Sequence, residues 1–516
     1  MKFFFAIIIA IGWSVVSTAN DISLEFPNYG NESLAIGQLC KNETISLNFS
    51  NGMIISIDQN FISSPLITCL NFAGTHIQNI RKGAFDKLPN LIQLIFSNNN
   101  IDLNKLFDFG GHEKLEILIL DNVIKNNIPT SAVISGEYPN LKILSVRNSL
   151  ISDLKIITET RVSDFNLDIS KSFSQIISKI PFPKLKILDL SDNRLTGTNF
   201  MELLPNSLNF LDLQNNSFTS FVVDKKQVNL LALNLNKNNL KFVKKYNNSR
   251  DSSDLNDRYN RQYNQRYNHY SYNQYQFKQD PYNRYNLRNP HNFGLVMAGL
   301  ENLHYLSISG NEIDHIESNA FEDINNLIYL NLSINKITHL HSETFEKLQS
   351  LRLLDLSFNK LESVPQISSE VISILSLNCN NIKKNLTINS FAKMPKLMKL
   401  LLGGNQIDEI NVQIFANLSL LEILDLSRNK LSFLPEGLSE FLISLKYLNV
   451  EDNQFTSLES LSLTSVSPLM EISLAMNPLE YLDVSYFQNL PQNLTINLVQ
   501  RSDFSYWNSD KCEPRK

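Results

Sequence analysis

An eleven-residue phrase, LxxLxLxxNxL, recurs along this chain at a near-constant interval. Such a pattern calls for a stacked array rather than one compact core. LIYLNLSINKI starts at Leu327, LRLLDLSFNKL at Leu351 and LEILDLSRNKL at Leu421. Aligned on their first residues, the phrases begin at Leu303, Leu327, Leu351, Ile372, Leu397, Leu421, Leu445 and Leu469, mostly 24 residues apart. Upstream the phase is rougher, with starts at Thr44, Ile67, Leu91, Leu115, Leu141, Val162, Leu185, Leu208 and Leu230. One such match arises by chance; a phased array of about 17 does not.

Each unit is too small to bury its own leucines, so neighbours must stack and share one elongated core. The LxLxx stretch reads as a strand whose alternation sends Leu424 and Leu426 inward and Asp425 outward. Parallel strands ~4.8 Å apart would make a concave sheet roughly 80 Å long. The ninth-position asparagine (Asn311, Asn335, Asn359, Asn405, Asn429, Asn453, Asn477) reads as an inward turn residue. Its carboxamide can satisfy backbone groups that the turn leaves unpaired. That role absorbs part of an unusual total of 66 asparagines in 516 residues. Phe85, Phe321, Phe345, Phe391 and Phe415 recur at one convex position, where they would fill the outer core.

These phrases resemble the extracellular leucine-rich repeat family of animals, which includes Toll-type receptor ectodomains, small proteoglycans and the acid-labile subunit. The resemblance covers residues 44–480 apart from one insertion. It implies an α/β solenoid: a right-handed superhelix, or horseshoe, with a concave parallel β-sheet and a convex side of loops and short helical turns. It also implies binding of proteins or other large ligands. Family members usually cap both ends with cysteine clusters, which implies a Cys40–Cys69 disulfide holding an N-terminal cap over 20–43. AMNPLEYLDVSYF from Ala475 is similar to the start of the family's C-terminal cap, expected over 481–516, but the paired cysteines are missing. Cys379 and Cys512 then read as free thiols, with an intermolecular bond through Cys512 as the alternative.

Residues 1–19, with one lysine, an apolar run and small residues up to Ala19, read as a cleaved secretory signal. No later run reaches the length of a membrane span, so none is expected after cleavage. Secretion makes the nine Asn-x-Ser/Thr sites candidates for glycosylation: Asn31, Asn42, Asn48, Asn215, Asn247, Asn331, Asn385, Asn417 and Asn493. Asn331 would place a sugar on the concave sheet.

Residues 241–293 interrupt the array and separate an irregular half, 44–240, from a regular half, 294–480. The insertion repeats a Tyr-Asn theme and carries nine basic against four acidic residues between Lys244 and Arg288. With no apolar period it is expected to be disordered. Its interleaved tyrosines and arginines offer a second reading, stacking on bases and neutralising phosphates. In position alone it resembles the long cleavable loop of nucleic-acid-sensing Toll-like receptors.

A net charge of -5 argues against a chain held by phosphates, so nucleic acid is not the expected partner. No nucleophile elbow, zinc-protease helix, phosphate loop or Cys-x-x-Cys spacing occurs, so neither enzyme activity, cofactor nor metal is expected. His315, His339 and His341 stand in adjacent repeats and read as a solvated flank, with a metal or pH-sensing cluster as the alternative. Asp189, Asp212, Asp355 and Asp425 are expected to project from the sheet. Third-position side chains line the concave face, and Phe210, Tyr305, Tyr329, Leu353 and Tyr447 among them could anchor a protein ligand as an exposed apolar ladder. Lateral packing against stacked neighbours would equally explain them.

The expectation is a secreted, non-catalytic protein that binds an extracellular protein partner. Innate-immune recognition, or decoy behaviour toward a receptor of the same family, is the setting the resemblance suggests. A matrix or adhesion component and a nucleic-acid sensor are the alternatives, with dimerisation through the repeats or Cys512.

Overall fold

A computed structural model describes residues 45–124, 128–156, 180–223, 229–245, 294–383, 386–464, 468–481, 483–499 and 512. The signal segment 1–19, the cap 20–43, the Val162 repeat and the insertion from 246 to 293 lie outside the described residues.

Among the described residues the phrases form one 17-stranded, all-parallel sheet. Strand follows strand in register, as in Tyr305↔Tyr329↔Leu353↔Ile374, so equivalent repeat positions become continuous rows. Leu424 and Leu426 are fully buried in a single core that runs from Ile57 to Leu490. Convex segments are turns and short 3-10 pieces such as Glu322–Ile324 and Val412–Phe415. The five convex phenylalanines are buried there, from Phe391 at 0% to Phe345 at 4% exposure.

Two boundaries differ from the sequence reading. Ile143–Ser145 pairs directly with Ile187–Asp189, so these two described strands are neighbours although 44 residues separate them. At the other end Thr495–Asn497 adds a further strand against Glu471–Ser473, inside the segment expected to be a cap.

The array is continuous across the insertion, because Ala232–Asn234 pairs directly with Tyr305–Ser307. On the convex side Gly294–Met297 wedges between Ser220–Val223 and Phe242–Val243. The chain therefore returns from the insertion by stitching itself into the repeat before it.

Two polar devices hold each turn. The ninth-position carboxamide faces inward: Asn359 Nδ2 donates to the carbonyls of Leu332, Leu356 and Ser357 at 2.9–3.2 Å, while Oδ1 accepts from Ile337 N–H at 3.1 Å. It thus sews its own repeat to the preceding one, satisfying groups that would otherwise be buried unpaired. The eighth position is left-handed in repeat after repeat, with φ near 50–60° at Asn98, Asn122, Asp192, Asn215 and Arg428. Asparagine, aspartate and glycine suit that conformation.

Candidate functional site

The concave face is packed rather than open. Phe210, Tyr329 and Leu353 are only 4–5% exposed, each wedged between the side chains of flanking strands. Tyr329, Leu353 and Ile374 form their own apolar cluster with Tyr305 against it. The exposed apolar ladder expected from the sequence is thus largely spent on lateral packing; Tyr305 and Tyr447 alone of the five are half-buried.

The fifth-position acids do not project to solvent either. Asp425 is 1% exposed, and Asp189, Asp212 and Asp355 are also buried. Their job is local: each Oδ1 accepts the N–H two residues on, as Asp425 does from Ser427 at 3.0 Å and Asp355 from Ser357 at 2.9 Å. Asn331 makes the same bond to Ser333 N–H at 2.9 Å and is 9% exposed, so the folded face leaves no room for a sugar there. Asn48, Asn215, Asn417 and Asn493 are exposed; Asn31, Asn42, Asn247 and Asn385 lie outside the described residues.

Cys69 is buried and disulfide-bonded, while Cys40, the other end of the expected bond, lies outside the described residues. Cys379 and Cys512 are not free thiols. They are bonded to each other, with Cα atoms 5.3 Å apart, which removes Cys512 as an intermolecular link. The expectation of free thiols is thus overturned: the two cysteines lie 133 residues apart, and no repeat period brings them together.

His315 is half-buried, and desolvation lowers its pKa; His339 and His341 are exposed. Among the described residues no group of three or more His, Cys, Asp or Glu is placed to hold a metal ion. Lys399 was overlooked: it occupies a third position, is 4% exposed, and burial lowers its pKa against the opposing charge of Asp425. A lysine interrupting the row between Ile374 and Ile423 was the available signal.

An open hollow lies instead on the flank of the irregular half, where the strands turn outward. A cleft of about 510 Å³ is lined by Asp121, Asn122, Arg147, Asn148, Asp192, Arg194 and Asn215, with Leu150 its apolar exception. It forms where strands 44 residues apart in sequence meet, Ile143 beside Ile187. Here the ninth position also loses its asparagine, to Val123 and Ser149. Corner carboxamides run along the rim, Asn148 Nδ2 donating to Asn122 Oδ1 at 3.2 Å and Asn122 Nδ2 to Asn98 Oδ1 at 2.6 Å. Arg147 holds the floor, its guanidinium 3.5 Å from both Asp189 and Asp192, with Nε donating to Ser191 Oγ at 3.1 Å.

On the next strand, paired with Asp189, Asp212 is pushed up to about 7, by burial first and then by repulsion from Asp189, which burial also raises. A carboxyl whose folded pKa exceeds its unfolded value of about 3.9 stabilises most when protonated. Stability should be full below that unfolded value and fall as pH rises through about 7. Between pH 5 and pH 8 the loss should be about 1–3 kcal/mol, read as a falling thermal midpoint. Asp212→Asn should flatten this slope; an unchanged slope in the variant would place the titration elsewhere.

A curved parallel sheet with an inward asparagine ladder defines a leucine-rich repeat solenoid. Residues 301–361, 371–431 and 395–455 match the family described as Leucine rich repeat, and 184–205 match a second such repeat. Keratocan of Gallus gallus is 29% identical over 148 residues, covering 27% of this chain and 41% of keratocan. Mimecan of Mus musculus is 33% identical over 151 residues, covering 29% and 47%. The chain thus spans less than half the length of these relatives. A leucine-rich repeat protein of Leptospira interrogans superposes with a TM-score of 0.49 at 21% identity, over 90% of this chain and 91% of that one. Over these segments the chain carries the Leucine rich repeat, and there it is similar to keratocan and mimecan. No helix among the described residues is long and apolar enough to cross a membrane.

Proposed function

We propose that this is a secreted binding protein that holds an extracellular protein partner in the flank cleft, in a matrix setting. The observation carrying this reading is the contrast between a concave face packed side chain to side chain and a polar hollow open on the flank. Amide and charged groups there are held in place by one another, which suits recognition of a polar protein surface without reordering. Similarity to keratocan and mimecan supports a matrix role over immune recognition or decoy activity. Half-buried Tyr305 and Tyr447 are the concave positions that still offer contact. Asp121 and Asp192 balance Arg147 and Arg194, so the cleft lining carries no net positive charge to hold phosphates, which weighs against nucleic acid as its ligand.

The test is capture from an extracellular matrix extract by the full chain and by an Asn122→Arg/Asn148→Arg variant. Arginine can adopt this corner conformation, as Arg428 does at φ 53° in the equivalent position of another repeat. At least one extracellular protein should be retained by the wild type and lost from the variant. Retention of the same proteins by both would exclude the cleft.

A further inference from the structure

The Cys379–Cys512 bond joins points 133 residues apart and reaches past the end of the sheet back into its interior. Between Ile374–Ser376, beside Cys379, and the terminal strand Thr495–Asn497 lie four more strands, 399–401, 423–425, 447–449 and 471–473. Five steps of ~4.8 Å make about 24 Å of sheet inside the covalent ring.

The bond has a built seat. Cys379 occupies a left-handed corner at φ 53° and donates its N–H to Gly403 O at 2.8 Å. The next corner in the row is Gly404, at φ 68°. A Cβ at Gly404 would run into the sulfurs of both Cys379 and Cys512, so the absent side chain is what admits the bridge. Among the described residues Thr495–Asn497 pairs with one strand, and Leu498 and Val499 beyond it are 45% and 76% exposed.

We propose that the Cys379–Cys512 bond locks the strands from 399–401 to 495–497 onto the solenoid. In a one-dimensional array the last repeat touches only its neighbour and can peel away alone, exposing the next. Closing the ring from the sixth strand before the end restricts every peeled state of the last five strands to a tethered loop. These strands then open together or not at all.

Amide hydrogen exchange on the full-length protein tests this, comparing wild type with Cys512→Ser, Cys379→Ser and the double variant. Cys512→Ser alters no repeat residue, so it isolates the bond from any disturbance of the corner at 379. Exchange in strands 399–401 to 495–497 should accelerate at least tenfold in each single variant. It should stay unchanged in strands 69–71 to 143–145, and the double variant should be no faster than Cys512→Ser. Unaltered exchange near the C-terminus, acceleration spread evenly along the array, or a double variant faster than Cys512→Ser would overturn the lock.

Discussion

Phe72→Ala is expected to destabilise the irregular half by about 3–5 kcal/mol, the range for emptying a buried aromatic site. Phe72 is fully buried and sits between Phe49 and Phe96, with ring centroids 5.0 and 5.4 Å away. A stack of this kind adds edge and face contacts beyond area burial. The vacated volume cannot collapse easily, because each neighbouring ring is also fixed by its own repeat. Denaturant unfolding should show the midpoint falling sharply with little change in slope. A loss under about 1 kcal/mol would mean that the aromatic row does not support the first repeats.

Asn359→Ala is expected to cost about 3 kcal/mol for a different reason. Little apolar surface is lost, but three carbonyls and the Ile337 N–H lose their carboxamide partner inside the core. Asn359→Asp keeps the oxygen facing Ile337 and discards the donors, so it separates the two halves of the role. If the ladder works as described, the aspartate variant is also strongly destabilised, because a buried carboxylate would face carbonyl oxygens. Near-wild-type stability in either variant would contradict the ladder.

Most of the fold was legible because one phrase sets one local geometry many times over. The leucines, the inward asparagines and the convex phenylalanines each have a fixed period, and those named above among the described residues lie where the period placed them. Strand polarity did not translate into exposure. Alternation told that Asp425 and Leu353 leave the core, yet strands ~4.8 Å apart leave too little room for solvent between such side chains on the inner face. Burial there depends on neighbours across strands, which lie 21–25 residues away in sequence. The Cys379–Cys512 pairing was illegible for a related reason: it depends on where the chain end goes, not on any period. Neither could the phrase foretell Ile334 and Phe358 at φ 53° and 52°, a conformation unfavourable for bulky side chains. The flank cleft arises where the period fails, between Ile143 and Ile187, so its place was visible only as irregularity.

Whether the cleft is the binding site is tested most directly by the affinity of a captured matrix protein for two chains, wild type and Asn122→Arg/Asn148→Arg. Both should unfold in one cooperative transition, since the substituted corners lie outside the core and Arg428 adopts the same conformation. Filling the hollow with two guanidinium groups should weaken binding at least ~30-fold, the effect of losing a central contact of about 2 kcal/mol. Affinities within about threefold of each other would place the partner on another surface of the solenoid.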